Sequence, residues 1–428
     1  MLPSVLRIPS FRALWLGQAI SQLGDAFYYV IFMFMVSKIT GSLVMVGYVG
    51  ALETLPFLLF GPYAGVLADR IDRRRIMLAS DLLSGLFLSM LAVTIAVSGK
   101  PPVWCLLVTP FMLSSVRCFF APAKSAAIPS LVPIERVLEA NAISSTTQTV
   151  MPLISLSLSA SVLSLLYTLS PLWFYLSAVS INATSFLVSA AFISRLPEVR
   201  PHREDAHEAH PFTDFKLGLY YIWGRHELKV LTALLTVFRL SVAPFFVVYL
   251  AANAKWFGGK PQSLVWFEFS FFLGMVVSSA AMTRQKPARP LYWFASGLAV
   301  CGISVGAMAV VPTYWNFIFC NVVAGLAIPA ADIPVMTYLQ VSVPDAFRGR
   351  VNSVREMISM GVMPVGSVFA GFMVARFGLA IAFYAMGIGM VGGCLFGLLD
   401  GRFRNARLVV PAGPLAVEDR GTEVAFIA

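Results

Sequence analysis

Apolar runs of about 20 residues, the length that carries a helix across a hydrocarbon core of roughly 30 Å, recur along almost the whole chain. They fall at about 11–38, 43–67, 76–98, 102–123, 142–167, 171–194, 228–251, 262–283, 291–311, 314–341, 352–375 and 379–399, and they predict twelve transmembrane helices. The runs are too long for the strands of a membrane barrel and lack their period-two alternation, so an all-α membrane protein is expected. Short polar turns separate most of them. The exception is RLPEVRPHREDAHEAHPFTDF (195–215), polar, charged and bounded by prolines, which reads as a linker between two halves. The stretch that follows, FKLGLYYIWGRHELK, mixes aromatic and basic residues as an interfacial helix does.

Composition agrees. Apolar residues make up 58% of the chain and charged residues 12%, with a mean hydropathy of +0.80, against about a quarter charged in a soluble domain. The net charge of +10 raises the question of a nucleic-acid partner, and its location answers it. When alternate loops are assigned to alternate sides, one side carries most of the 31 Lys and Arg, and the other only Lys38, Lys100, Lys255, Lys260 and Arg376. That asymmetry predicts a multi-pass protein of the plasma (cytoplasmic or inner) membrane with both termini cytoplasmic, and no nucleic-acid partner. The first run is long and already carries Asp25, so no cleavable signal peptide is expected. The five cysteines lie within predicted spans without CxxC spacing and read as small buried hydrophobes. His202, His207 and His210 share the linker with acidic residues; on a proline-flanked loop they read as solvated, and neither metal nor cofactor is expected.

The chain also repeats itself. A shift of 211 to 215 residues places Glu53 on Glu268, Asp25 on Arg239, Arg117 on Asp332, LVPIERVLEAN (131–141) on SVPDAFRGRVN (342–352), and VMPL (150–153) on VMPV (362–365). Two pseudo-symmetric six-helix bundles follow: 1–195 and 228–400, joined by a cytoplasmic linker with an interfacial helix at 196–227 and followed by a cytoplasmic tail at 401–428.

A charge at bilayer depth costs at least about 2.5–3.5 kcal/mol, so each one calls for a partner, a wet cavity or a function. Six stand out: Asp25, Glu53, Arg117, Arg239, Glu268 and Asp332. Gln18, Gln22, Asp25 and Tyr29 form a polar stripe on one face of span 1, and Asn321 lies in line with Asp332 on span 10. Four of the charges occupy the first and fourth spans of the two halves, an arrangement suited to a central cavity that exchanges protons and binds polar groups. The same charges could instead pair as buried ion pairs, and the two roles are compatible.

The stretch GVLADRIDRRRIM (65–77) joins spans 2 and 3. It resembles the signature loop G-x-x-x-D-R-x-G-R-R/K of the major facilitator superfamily: Gly65, Asp69, Arg70, Arg73 and Arg74 match, and Asp72 stands where the pattern has glycine. FRALWLGQAISQLGDAFYYV, PAKSAAIPSLVPIERVLEAN and VPDAFRGRVNSV resemble the multidrug and macrolide efflux branch (drug:proton antiporters), which includes siderophore exporters. The resemblance implies a cytoplasmic latch. Gly65 would let spans 2 and 11 approach, Asp69 would meet the positive N-terminal end of span 11, and the arginines would bind neighbouring acids. Where drug–proton antiporters carry GPxxGG in span 5, this chain has Met151, Pro152 and Ser155.

The expected function is therefore secondary active efflux of a small amphipathic or polar molecule by alternating access, with protons as the coupling ion, in a monomer embedded in lipid. An uptake carrier, a carrier of lysophospholipids or organic anions, and a non-transporting sensor of the same fold stay open. No HExxH or GxxxxGK[ST] occurs, and no enzymatic activity is expected.

Overall fold

A computed structural model describes residues 4–200, 211–282, 285 and 288–407; within these ranges the side chains of Asp69, of 156–169 and of a few other residues lie outside the description. The described chain is helical, with no strand. The first half comprises α1 (Pro9–Thr40), α2 (Leu43–Arg70), α3 (Arg73–Ser98), α4 (Val103–Leu131), α5 (Val137–Leu169) and α6 (Pro171–Ile193). A connecting helix α7 (Pro211–Gly224) leads to α8 (His226–Val242), α9 (Phe245–Trp256), α10 (Pro261–Met282), α11 (Pro290–Val310), α12 (Tyr314–Ser342), α13 (Asp345–Gly361), α14 (Met363–Phe377), α15 (Leu379–Leu399) and the short α16 (Gly401–Asn405). Among the described residues, eleven stretches are long and apolar enough to cross a membrane. The expected span 142–167 is the continuous helix α5. The three linker histidines lie outside the described residues.

Local chemistry sets the helix ends. Gly41, at φ 62°, terminates α1 in the left-handed region, and the Ser42 hydroxyl accepts from the Met45 N–H to start α2. The sequence predicts unbroken helices for spans 7 and 11. Each is instead two helices, α8–α9 and α13–α14, because Pro244 and Pro364 sit at the joints, where a missing N–H and a ring clash interrupt the ladder. Pro110, Pro122, Pro129, Pro152, Pro329 and Pro334 stay inside continuous helices.

Packing repeats between the halves. In the first, α1 packs on α6, α2 on α4, and α3 on both α4 and α6; in the second, α8 packs on α15, α10 on α12, and α11 on both α12 and α15. The halves meet through α2 with α14 and α5 with α10, contacts that exchange when the halves are swapped. This is the two-bundle architecture that the internal repeat implies.

The tightest contact between halves lies at the end of α2 remote from the charged turn. A Cβ at Gly371 would sit 2.7 Å from the Leu43 carbonyl oxygen and from Val44 Cα, and one at Gly47 would sit 2.5 Å from the Ser367 carbonyl oxygen. Small residues thus bring two backbones together where lipid supplies no hydrophobic drive. Near the other end of α2, a Cβ at Gly65 would meet nothing within 4 Å. Among the described residues nothing approaches Gly65 closely in this conformation; the glycines of the α2–α14 contact sit at the opposite end.

Helix α7 docks on α13 through Gly218, whose Cβ would lie 2.7 Å from the Arg350 carbonyl, and through Tyr221 stacked on Phe347 with ring centroids 4.9 Å apart. Its other face exposes Tyr220 and Trp223, as an interfacial helix does.

Gly371→Val should lower the melting temperature of the purified protein, by an amount equivalent to about 1–3 kcal/mol of overpacking. Gly65→Ala should leave it unchanged. Equal melting temperatures for Gly371→Val and the parent would contradict the contact described here.

Candidate functional site

The two halves enclose a cavity of about 280 Å³. From α1 it receives Gln22, Asp25, Tyr28 and Tyr29; from α2, Glu53; from α4, Leu113, Ser114 and Arg117; from α5, Pro152; and from α10, Glu268 and Phe272. The i, i+3, i+6, i+7 spacing of the α1 residues puts them on one helical face, so a single helix supplies an amide, a carboxylate and two phenols.

The cavity is built around one ion pair. Arg117 Nη2 lies 2.5 Å from Asp25 Oδ2, and Asn182 Nδ2 of α6 donates to Asp25 Oδ1 at 3.2 Å. Both carboxylate oxygens are therefore engaged, and the fixed charges of Asp25 and Arg117 cancel. Gly24 makes this geometry possible: a Cβ there would fall 2.2 Å from Ser185 Oγ, so no other residue lets α1 approach α6 closely enough for Asn182 to reach Asp25. Glu53 and Glu268, related by the internal repeat, face the same space from opposite halves, and Tyr29 touches Phe246 of α9 edge-on at 5.0 Å.

Of the residues singled out in the sequence, Asp25, Glu53, Arg117, Glu268, Gln22 and Tyr29 come together here. Four do not. Gln18 is buried one layer away and accepts from Lys124 Nζ at 2.6 Å. Asn321 is fully buried in an aromatic cluster, where its side-chain oxygen accepts from the Tyr249 hydroxyl and its Nδ2 donates to the Phe317 carbonyl at 3.0 Å. Asp332 borders a small apolar void inside the second half, with Phe238, Phe294 and Cys301. It lies in the field of Arg239 and Arg355, and Arg239 does not line the cavity. Of the four charges of spans 1, 4, 7 and 10, Asp25 and Arg117 of the first half line this cavity and Arg239 and Asp332 of the second do not.

The charged turn is an internal clamp in this conformation. Asp72 caps α3, accepting from the Arg74 N–H at 3.0 Å, and the same oxygen accepts from the Val199 N–H at 3.0 Å. Arg73 donates to the carbonyls of Ala68 (3.3 Å) and Ala126 (3.1 Å), and Arg74 Nη2 donates to the Ser194 carbonyl. These side chains bind carbonyls of α2 and α4 and the one that follows α6; at the C-terminal ends of helices unpaired C=O groups concentrate negative charge. The expected acidic partners fall to Arg75 instead, with Asp72 at 3.8 Å and Glu198 at 4.0 Å. Arg70 is exposed, and the Asp69 side chain lies outside the described residues.

Sequence reading passed over four charged or polar residues with structural consequence: Asp81, Lys124, Asn182 and Arg355. Lys124 and Arg355 are buried, Arg355 donating to Glu356 at 2.9 Å. The available signal was position: each lies within a helical run rather than in a turn. All five cysteines are free and buried.

Comparison with known proteins places this architecture in a family. The model of the Major Facilitator Superfamily matches residues 14–360. The chain belongs to that superfamily of membrane transporters. Among its relatives, Macrolide efflux protein A of Streptococcus pyogenes is 25% identical over 374 residues, covering 86% of this chain and 90% of that protein. The multidrug efflux pump Tap of Mycolicibacterium fortuitum is 23% identical over 86% of this chain and 90% of its own length. The putative bacilysin exporter BacE of Bacillus subtilis is 26% identical over 86% and 89%. Solved structures share the fold. The nucleoside transporter NupG superposes with a TM-score of 0.68 at 11% identity, covering 90% of this chain and 97% of that one. A bacterial homologue of the lysosomal transporter Spinster superposes with a TM-score of 0.67 at 15% identity, covering 95% and 97%.

Asp72→Ala removes both the α3 cap and the anchor of Val199. It should destabilise the first half by about 0.5–2 kcal/mol for the cap and increase proteolysis in the segment after Ile193. Asp72→Asn, which keeps an acceptor, should recover most of the loss. An unchanged melting curve and cleavage pattern for Asp72→Ala would remove the clamp.

Proposed function

We propose that the protein exports a small amphipathic or polar molecule across the plasma membrane as a proton-coupled antiporter, its two bundles tilting alternately about the cavity, with both termini cytoplasmic and a monomer as the working unit. The observation that carries this reading is the meeting of Glu53 and Glu268, equivalent positions of the two halves, in one cavity beside the Asp25–Arg117 pair. With that pair neutral, the two glutamates give the cavity a need for cations, which protons or a basic group on the substrate can meet. Tyr28, Tyr29 and Phe272 offer rings and edges to an apolar body. A substrate that competes with the protons for the same carboxylates is coupled to them without further machinery. Efflux is favoured over uptake by the relatives, which are named for macrolide efflux, multidrug efflux and bacilysin export. The anion-carrier alternative needs a free guanidinium at the cavity, whereas Arg117 is engaged by Asp25 and Arg239 interacts with Asp332.

The cytoplasmic latch belongs to the same proposal. Asp69 and the N-terminal end of span 11 engage when the charged end closes, and the room beside Gly65 is consistent with a state in which they are apart.

The test is macrolide accumulation in drug-hypersensitive cells, followed by flux in proteoliposomes under an imposed pH gradient. Asp25→Asn should abolish gradient-driven efflux while the protein still purifies as a monodisperse species, and Glu53→Gln or Glu268→Gln should each weaken it. Undiminished gradient-driven flux in Asp25→Asn would remove that residue from coupling, and a measured flux separates a carrier from a sensor.

A further inference from the structure

Asp81 sits about two turns into α3, 2% exposed, and its Oδ2 has no hydrogen-bond partner. Ser189 of α6 is its hydroxyl neighbour, and the buried Ser189 Oγ likewise stops short of a full hydrogen bond in this conformation. Ser189 lies one turn beyond Ser185 on the same face of α6. Ser185 Oγ is 3.1 Å from Asn182 Oδ1, and Asn182 Nδ2 donates to Asp25 Oδ1 at 3.2 Å. A buried polar edge of α6 therefore runs from the cavity's ion pair to a second carboxylate behind it.

Among the described residues, no cation pairs with Asp81. From α6 come hydroxyls and one amide; from α4, Arg117 is engaged by Asp25 and Lys124 by Gln18. From α2, Glu53 faces the cavity, and the Asp69 side chain lies outside the described residues. The charge that reaches Asp81 is that of Asp25, of like sign. An ionised carboxylate buried without a cation is costly, and a bound proton removes the cost.

We propose that Asp81 is a second proton-binding site, coupled to Asp25 across the polar edge of α6 and outside the substrate cavity. It rests on the proton-coupled reading above and extends it. The exchange is simple in atoms: a proton adds to one carboxylate oxygen of Asp81. While Asp81 is ionised, the Ser189 hydroxyl is its donor. Once Asp81 is neutral it becomes the donor, and Ser189 turns its own proton to the carbonyl one turn back. Like charges in contact through such an edge titrate as a pair, so occupancy of one changes the affinity of the other.

Infrared pH titration of the purified protein in lipid nanodiscs tests this without any substrate. The parent should show a buried carboxyl signal that Asp81→Asn removes and Asp81→Glu retains at a new frequency. Ser189→Ala should shift its frequency, and Asp25→Asn should move its pH midpoint. A titration identical in the parent and Asp81→Asn overturns the site. A midpoint indifferent to Asp25→Asn overturns the coupling. If Asp81→Asn does not fold, the Asp81→Glu frequency shift and the Ser189→Ala shift carry the test, and their absence overturns it. Failure of Asp25→Asn to affect gradient-driven flux would count against the transport reading alone, since the infrared titration does not depend on it.

Discussion

A charge held at bilayer depth must be met by an opposite charge, by hydrogen bonds or by water, and the central acids Asp25 and Asp332 each find their nearest bases in their own half. In the first half, Asp25 of α1 takes Arg117 of α4 and the amide of Asn182. In the second, Asp332 of α12 is held in the field of Arg239 and Arg355. Pairing within a bundle leaves each half self-contained. If the charges paired across the interface, every tilt of one half against the other would separate ions in a medium of low dielectric. Pairing inside the halves lets the interface consist of glycine-backed helix contacts and two solitary glutamates, which are cheap to part and to rejoin.

The charged turn obeys the same economy. Its arginines turn inward to their own half: Arg73 and Arg74 bind carbonyls of α2 and α4 and the one that follows α6. Asp72, which departs from the glycine of the signature pattern, is the residue that ties α3 to the segment after α6. Glycine at that position would leave the Val199 N–H without this acceptor. The substitution thus strengthens a joint inside the first bundle, at the point where the chain leaves for the linker.

Much of this was legible in the sequence because hydrocarbon imposes a length and a polarity on every span. The internal offset that pairs Glu53 with Glu268 identified two residues that do share a cavity, and the depth of Asp25 in its run marked the centre of the site. Periodicity failed where neighbours decide. Gln18 and Asn321 lie in line with charged residues on their own helices, but α4 offers Lys124 to the first and α9 offers Tyr249 to the second, and both turn away. Lys124 falls just outside the expected span 102–123 yet inside α4, because a run of apolar residues defines a membrane segment more narrowly than the helix that carries it. Pro244 and Pro364 break their spans while Pro152, at the position equivalent to Pro364, does not. Proline alone therefore does not determine a break; the packing that can re-satisfy the freed carbonyl does.

The glycines then acquire distinct meanings by depth. Gly24 admits Ser185 and so sets the α1–α6 distance on which the Asn182–Asp25 bond depends. Gly47 and Gly371 set the distance between the halves at one end of the molecule, and Gly65 leaves room at the other. In the alternating-access reading proposed above, the close α2–α14 contact at Gly47 and Gly371 would serve as the pivot. The cavity carboxylates would then change their separation as the bundles tilt, and protonation of one of them would alter the energy of that turn through charge.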